Sequence, residues 1–245
     1  MMDEELNVST EIDNENISRP FVSPAVIRRL PRYFRYLREL IRDGKMRISS
    51  SELSARMGVT ASQIRQDLNC FGGFGQQGYG YNVNYLYAKI SELLGVSAGL
   101  HAVIIGAGDL GRALVRSTMF EKRGVDIIAM FDVDPSLIGK SFGGVTIYDM
   151  RELEKYCTEN AVDMAVLTLP KECAQTEADR LVALGVCGLW NFTGKELNYP
   201  DDRAVVENVH LGDSLMILNY DICRLKSERR SAEIRFSEEE GEAEE

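Results

Sequence analysis

The strongest constraint on the fold of this chain is the glycine motif Gly-Ala-Gly-Asp-Leu-Gly at residues 106–111, which directly follows an apolar run at residues 102–105. Apolar residues at helical spacing come next, so the motif lies in a predicted turn between a strand and a helix. Asp132 stands 21 positions after the last glycine, at the end of a second apolar run. This order and spacing are typical of the dinucleotide-binding fingerprint of a parallel α/β domain.

The residues of this motif have separate predicted roles. Gly106 permits a tight turn, Gly108 lets the backbone approach a pyrophosphate, and Gly111 lets helix and strand pack closely. Asp132 is able to accept hydrogen bonds from ribose hydroxyls and repels the extra phosphate of NADP, which favours NAD(H). The alternative is a corner whose glycines serve packing only; it is disfavoured because strand, spacing and acid occur together. Asp109 is expected to start the helix, and whether it also has a functional role stays open.

Later apolar runs extend the predicted sheet. They lie at residues 145–147, 164–167 and 188–192 and alternate with helical stretches, as expected of a parallel α/β fold. Residues that follow the carboxyl ends of such strands face the edge where ligands bind. The residues predicted to bind the cofactor are Gly106, Ala107, Gly108, Asp109, Leu110, Gly111, Asp132, Val133, Thr168, Leu169, Pro170, Asn191 and Phe192.

The net charge of −10 is unevenly distributed along the chain. Residues 1–16 carry six acids and no bases, whereas residues 17–90 carry twelve bases and four acids. Positive charge is therefore concentrated in one segment, as contacts with nucleic-acid phosphates require. Six of the last nine residues are Glu, which predicts a solvated, disordered tail.

The basic segment has the pattern of a helix-turn-helix unit. Apolar residues recur at helical spacing between residues 27 and 41, and two shorter helical patterns follow. The predicted boundaries are a helix start after Ser23 and Pro24, a stop at Gly44, a cap at Ser50 or Ser51, a turn at Gly58 and a helix start at Thr60.

Polar residues on the last of these helices are able to reach base edges and phosphates in a major groove. Glycines alternate with aromatic residues over residues 71–81, which predicts a hairpin or wing beside that helix. The alternatives are an ordinary solvated helix face and a purely structural hairpin. The residues predicted to contact DNA are Arg28, Arg32, Lys45, Arg47, Ser50, Ser62, Gln63, Arg65, Gln66, Phe74, Gln77, Tyr79 and Tyr81.

The sequence also indicates where the chain works. No apolar run approaches the roughly 20 residues of a membrane span, and the acidic start lacks the basic flank of a signal peptide. We therefore expect a cytoplasmic protein that is not bound to a membrane. The five cysteines have no C-x-x-C spacing, so neither a zinc site nor a disulfide framework is predicted. Cys70 is a candidate reactive thiol.

These features together resemble the Rex-type redox-sensing transcriptional repressors over residues 18–226. The most specific matching segments are residues 29–33, 50–53, 63–68, 71–81, 106–111, 131–135, 174–175 and 190–192. The resemblance implies a non-enzymatic repressor of fermentation and respiration genes that NADH releases from palindromic, AT-rich operators.

The same resemblance implies a homodimer with a fold of the α/β class. Its parts are a disordered acidic start at residues 1–17, a winged helix-turn-helix domain at 18–95, a Rossmann NAD(H)-binding domain at 96–208, a domain-swapped helix at 209–228 and a disordered acidic tail at 229–245. Apolar residues at positions 215, 218, 222 and 225 share one side of the last helix and need a covering partner. Packing within one chain is the alternative to the implied exchange between protomers.

Two positions depart from the pattern of that family. Ser117 stands where these proteins typically carry Tyr, and His210 stands where Asp typically precedes the swapped helix. The resemblance implies that these positions, with Arg35 and Leu211, couple the nicotinamide to the DNA-binding head. Loss of the Asp leaves Arg35 without that carboxylate, so we predict altered redox coupling, weak or sensitive to pH because histidine changes charge in the physiological range. Compensation elsewhere in the pocket is the alternative.

Two other functions stay open on the sequence. An NAD-dependent oxidoreductase needs a substrate domain and a proton-transfer group, yet only one helix and the acidic tail follow the predicted Rossmann segment. A regulator that binds a CoA derivative or another small ligand is the second, because a fold alone does not choose its ligand.

Overall fold

The computed structural model describes residues 22–69, 75–76, 80–200 and 202–242, with side chains described for residues 22–69, 80–200 and 202–231. The chain divides into two units between Val96 and Ser97, one residue beyond the boundary expected from the sequence.

The first unit combines short helices with a small antiparallel sheet. Buried side chains such as Leu30, Leu37 and Leu68 form its core, because apolar residues recur on one face of each helix. The two helices α3 and α4 form the helix-turn-helix. The elements are α1 (Pro24–Ile27), α2 (Leu30–Arg42), β1 (Arg47–Ile48), α3 (Ser50–Met57), α4 (Ala61–Asn69), β2 (Gly75–Gln76), β3 (Gly80–Asn82) and α5 (Val83–Leu93), with strand order β1-β3-β2.

The prediction of a single long helix that begins after Ser23 and Pro24 and stops at Gly44 is wrong, because the structure has two helices there. Pro31 lacks an amide hydrogen and its ring clashes with the carbonyl four residues earlier, so the helix cannot run through Ile27. Arg29 instead donates its backbone N–H to Val26 O at 2.8 Å, which closes α1 with a tighter turn.

The cap of α3 also differs from the prediction. Ser49 is the capping residue, not Ser50 or Ser51: its hydroxyl accepts from the Glu52 amide at 3.1 Å, and the Glu52 carboxylate accepts from the Ser49 amide at 2.9 Å. This reciprocal pair is a capping box. The predicted helix start at Thr60 is confirmed, since α4 begins at Ala61 and the Thr60 hydroxyl accepts from the Gln63 amide.

The second unit is a seven-stranded sheet in the order β10-β9-β8-β4-β5-β7-β6, parallel except for β6. The parallel strands follow the doubly wound order in which two halves diverge from adjacent first strands, here β4 and β8. The elements are β4 (Leu100–Ile105), α6 (Asp109–Val115), β5 (Val125–Asp132), β6 (Ser141–Phe142), β7 (Val145–Asp149), α7 (Leu153–Glu159), β8 (Met164–Leu167), α8 (Ala174–Ala183), β9 (Gly188–Asn191), β10 (Val205–Asn208) and α9 (Leu211–Glu242).

The last helix, α9, is 32 residues long. It continues through residues for which the sequence predicted a disordered tail, and that prediction is wrong up to Glu242. Glutamate and arginine are good helix formers, and pairs such as Arg224 with Glu228, 3.1 Å apart, support the helix one turn at a time. Among the described residues, no helix is both long and apolar enough to cross a membrane.

Candidate nucleotide site and DNA-binding surface

A cavity of about 510 Å³ opens where β4 and β8 diverge. Its walls are the residues that end β4, β5 and β8, so it lies at the topological switch point where open α/β sheets bind ligands. Its size is in the range of sites for small molecules and cofactors. The lining residues are Ile105, Gly106, Gly108, Phe131, Asp132, Val133, Met150, Thr168, Leu169, Pro170, Cys173 and Glu177.

The three glycines of the motif occupy three different environments. A Cβ on Gly106, which has φ +99°, would lie 2.7 Å from the carbonyl oxygen of Thr168. A Cβ on Gly111 would lie 2.2 Å from the carbonyl oxygen of Gly106, so this glycine is needed for α6 to approach β4. At Gly108 a Cβ would meet nothing within 4 Å, and this residue faces the cavity. Gly108 thus leaves room for a ligand, which fits a bound pyrophosphate.

Asp132 ends β5 at the edge of the cavity. One carboxylate oxygen accepts from the Ala107 amide at 2.6 Å, and the other accepts from the Asp134 amide at 2.9 Å. These bonds fix the carboxylate against the glycine turn. Each carboxylate oxygen has two acceptor positions, so Asp132 retains capacity for ribose hydroxyls.

The segment that follows β8 forms the opposite wall. Thr168 donates its hydroxyl to the carbonyl oxygens of Ile105 and Gly106 at 3.1 and 2.8 Å, which ties the two halves of the sheet together beside the cavity. Cys173 and Glu177, on the approach to α8 and its first turn, also line the cavity. Sequence reasoning missed them because no local pattern shows that α8 turns towards this edge.

Several predicted cofactor residues do not line the cavity. Asn191 is buried and hydrogen-bonded to the Asn208 side chain, the Lys195 carbonyl and Thr193, so it organises the turn after β9. Phe192 packs edge-on against Trp190 with ring centres 4.8 Å apart. The others are Ala107, which is buried, Gly111, which packs α6 on β4, and Asp109 and Leu110, which are exposed on α6.

The predicted coupling residues of the second unit, Ser117, His210 and Leu211, do not line this cavity. Ser117 lines a separate depression of about 470 Å³ beside the end of α6, and its hydroxyl accepts from the Met119 amide at 3.3 Å. His210, just before α9, has its Nε2 atom 2.7 Å from Glu196 Oε1. Leu211 is 65% exposed, and Arg35 is exposed on α2.

In the first unit, α4 presents the polar surface expected of a recognition helix. Ser62, Arg65 and Gln66 are exposed, and Arg65 donates to the Ser50 hydroxyl at 3.1 Å, so the two helices of the motif share a polar edge. Arg28, Lys45 and Arg47 are also exposed and add positive charge to this unit. Phe74, Gln77 and Tyr79, like Cys70, lie outside the described residues.

Three residues predicted to contact DNA have partners within the protein. Tyr81 is only 7% exposed and belongs to the core of the first unit, so the assignment of this side chain to the DNA surface is wrong. Arg32 donates to the carbonyl oxygen of Met57 at 2.8 Å and so caps the end of α3. Lys45 pairs with Glu52, and this pair with the Ser49 hydrogen bonds lowers the pKa of Glu52 to about 2.

A buried carboxylate anchors α4 and was not singled out by its sequence. Asp67 is fully buried, and its two oxygens accept from Arg29 Nε and Nη2, both at 2.7 Å, from the Tyr33 hydroxyl at 3.0 Å and from Gln63 Nε2 at 2.8 Å. These hydrogen bonds outweigh the desolvation of the carboxylate and lower the pKa of Asp67, while burial of the phenol raises the pKa of Tyr33.

The described part of the chain contains no cluster of three or more potential metal ligands. A winged helix-turn-helix unit followed by a Rossmann unit with a cavity at its switch point defines the class of ligand-responsive DNA-binding regulators. Two family models match accordingly, one described as a DNA-binding protein N-terminus over residues 21–69 and the other as a CoA binding domain over residues 99–194.

The relatives identify the family within this class. The chain is 52% identical over 202 residues to the redox-sensing transcriptional repressor Rex of Caldanaerobacter subterraneus subsp. tengcongensis, covering 82% of this chain and 90% of that protein. It is 50% identical to Rex of Caldicellulosiruptor saccharolyticus, covering 86% and 96% of the two chains. The chain belongs to the Rex family of redox-sensing transcriptional repressors.

Solved structures agree with this assignment. The crystal structure of RSP in complex with β-NAD⁺ and operator DNA matches with a TM-score of 0.79 at 48% identity, covering 86% of this chain and 97% of RSP. The structure of RSP in complex with β-NADH matches with the same TM-score at 45% identity, covering 86% and 99%. RSP is a Rex-family repressor, so the fold and the family assignment coincide.

Proposed function

We propose that this chain represses transcription by binding operator DNA and that NADH, in preference to NAD⁺, releases it. The observation that carries the proposal is the cavity at the switch point, joined in one chain to a helix-turn-helix. The relatives named above support it, because RSP binds β-NAD⁺, β-NADH and operator DNA. Repressors rather than enzymes make up this family, which disfavours the oxidoreductase alternative.

The dinucleotide occupies the cavity in this proposal. The pyrophosphate lies against Gly108, where the backbone leaves open space, and Asp132 accepts the adenosine ribose hydroxyls. Val133 borders the adenine end, and Thr168 to Pro170 line the wall towards the second half of the sheet. A ligand with a CoA-like adenosine 3′-phosphate would place additional negative charge near Asp132, so we favour NAD(H) over CoA.

DNA binding is assigned to the exposed polar edge of α3 and α4. Ser62, Arg65 and Gln66 on α4 face the major groove in this proposal, and basic residues such as Arg28 and Arg47 contact phosphates. The +8 balance of residues 17–90 attracts DNA despite the overall charge of −10. A palindromic operator is expected for a dimer of such units, and the resemblance to the Rex family implies that it is AT-rich.

The protein acts as a homodimer through α9 in this proposal. Leu215, Leu218, Ile222 and Leu225 are 57%, 53%, 40% and 46% exposed, and they share one side of the helix. Such a contiguous apolar stripe on a monomer marks an interaction surface, and a second copy of the chain covers it by helix exchange. We also expect the dimer to work in the cytoplasm, where operator DNA and the NADH pool are present.

The test is fluorescence anisotropy of the full-length protein on a labelled palindromic AT-rich duplex at fixed salt. NADH and NAD⁺ are titrated separately into the preformed complex. A ligand shifts the equilibrium only through its different affinities for the two conformations, so tight NADH binding alone is not sufficient. Release by NADH at concentrations where NAD⁺ has little effect supports the proposal. DNA binding that is indifferent to both nucleotides would contradict it.

A further inference from the structure

The buried carboxylate of Asp67 also controls a side chain on the DNA-binding surface. Gln63 lies in the first turn of α4, where recognition helices contact base edges. Its amide nitrogen donates to Asp67 Oδ1 at 2.8 Å, and the Gln63 side chain is only partly buried. One end of the amide is therefore held by the protein while the residue still reaches the surface.

The Asp67 carboxylate determines which end of the Gln63 amide points inward. An ionised carboxylate accepts hydrogen bonds and cannot donate them. Hydrogen bonds from Arg29 and Tyr33 hold the pKa of Asp67 below its ordinary value, so the group is ionised at neutral pH. Turning the Gln63 amide over would bring its carbonyl oxygen against a carboxylate oxygen at hydrogen-bond distance, which is repulsive. The nitrogen is thus held inward and the oxygen is left outward.

The outward oxygen has no donor among the described residues. We propose that Gln63 presents a carbonyl acceptor to the major groove and is a specificity-determining residue, while Asp67 is the positioning residue that sets the direction of its amide. This inference rests on the proposed DNA-binding function and adds which bases the α4 surface selects.

The selected base must carry a donor in the major groove. Adenine offers its N6 amino group and cytosine its N4 amino group, whereas thymine and guanine present acceptors at O4 and O6. A freely rotating glutamine pairs with both N6 and N7 of adenine and selects adenine alone. With its nitrogen held on Asp67, Gln63 meets the base pair through its carbonyl oxygen, so adenine and cytosine are favoured over guanine and thymine.

The experiment uses the full-length protein and a palindromic duplex selected from a randomised, AT-rich library. Every base pair of the half-site is substituted symmetrically, and affinities are measured by anisotropy at fixed salt. At one position adenine and cytosine should bind roughly tenfold more tightly per half-site than guanine and thymine. If adenine occupies that position, replacing it by 2-aminopurine, whose amino group lies in the minor groove, should weaken binding by a similar factor.

Variants assign that position to Gln63. Gln63→Met keeps the length of the side chain. Its affinities for the four bases at that position should lie within about threefold of one another. The 2-aminopurine substitution should then have no effect, as expected if residue 63 and this base interact directly. Gln63→Ala gives a second variant with a strong helix former. The control change Asn69→Ala, at the opposite end of the same helix, should leave the preference at that base pair intact. Asp67→Asn should widen acceptance to guanine and thymine, because the amide is then free to turn over.

The outcomes separate this inference from the proposed function. If the unmodified protein binds no duplex, the proposed function fails and the inference fails with it. If it binds and both Gln63 variants retain every base preference, or if the affected position prefers guanine or thymine, only the inference is overturned. A uniform loss of affinity in Asp67→Asn with an unchanged order of bases would overturn the positioning role of Asp67.

Discussion

The guanidinium of Arg29 and the carboxylate of Asp67 form two parallel hydrogen bonds of 2.7 Å, one from Nε and one from Nη2. The Asp67 side chain is fully buried and that of Arg29 is 26% exposed. The pair joins the turn before α2 to the recognition helix α4, 38 positions away in the chain. The recognition helix is therefore oriented by a charge inside the protein as well as by apolar packing.

Removing one partner of this pair leaves a buried charge without compensation. We expect Arg29→Ala to lower the free energy of unfolding of the first unit by about 3 kcal/mol. Arg38→Ala is the matched control, because Arg38 is exposed on α2 and has no ion pair among the described residues; its effect should stay within about 0.5 kcal/mol. Urea denaturation monitored by circular dichroism measures both, and equal effects would contradict the role of the pair.

The same carboxylate predicts a pH dependence. The pKa of Asp67 is lower in the folded protein than its ordinary value of 3.8. Its contribution to stability is therefore complete above about pH 4 and is lost as the pH falls through the lower, folded-state pKa. We expect the melting temperature of the first unit to fall below pH 4 and the Asp67→Asn variant to show a smaller decrease over the same range. Parallel curves for the two proteins would refute this.

The glycines of the fingerprint allow packing to be separated from ligand binding. Gly108→Ala adds a methyl group that meets nothing within 4 Å, so the melting temperature should be unchanged while NADH affinity falls at least tenfold. Gly111→Ala places a methyl group 2.2 Å from the carbonyl oxygen of Gly106, so the free energy of unfolding should fall by about 2 kcal/mol. Thermal unfolding and NADH titration by calorimetry distinguish the two. Normal NADH affinity in Gly108→Ala would argue against the proposed position of the pyrophosphate.

The apolar stripe of α9 predicts the oligomeric state. Leu218→Glu combined with Ile222→Glu places two charges on the side proposed to contact the partner, so the protein should sediment as a monomer where the unmodified chain is a dimer. Asn219→Ala, between them on the same helix, should leave the dimer intact. Analytical ultracentrifugation at micromolar concentration measures this, and a dimer in the double variant would exclude the helix as the main interface.

The sequence predicted the role of a residue where that role depends on neighbours close in the chain, and failed where it depends on residues far away in the chain. The positive φ of Gly106 and the approach of Gly111 to the Gly106 carbonyl were predictable because both belong to one turn and helix start within six residues, whereas the contact of Gly106 with Thr168 was not. The partners of Asp67 were not, because Arg29 and Tyr33 lie 38 and 34 positions away and come close only in the folded unit. For the same reason, Tyr81 was assigned to DNA from its residue type although it is buried in the core, and the hydrogen bond from Arg32 to the Met57 carbonyl was not foreseen.

His210, which the sequence predicts to depart from the family pattern, has a consequence that is direct to measure. Its Nε2 atom lies 2.7 Å from Glu196 Oε1, so a carboxylate lies directly beside position 210. Introducing only an aspartate there would set two carboxylates against each other. We therefore expect His210→Asp combined with Ser117→Tyr and Glu196→Gln to increase the ratio of NADH to NAD⁺ potency in DNA release severalfold, and His210→Asp alone to increase it less. Anisotropy titrations at pH 7.5 provide the ratio, and an unchanged ratio in the triple variant would contradict a coupling role for positions 117 and 210.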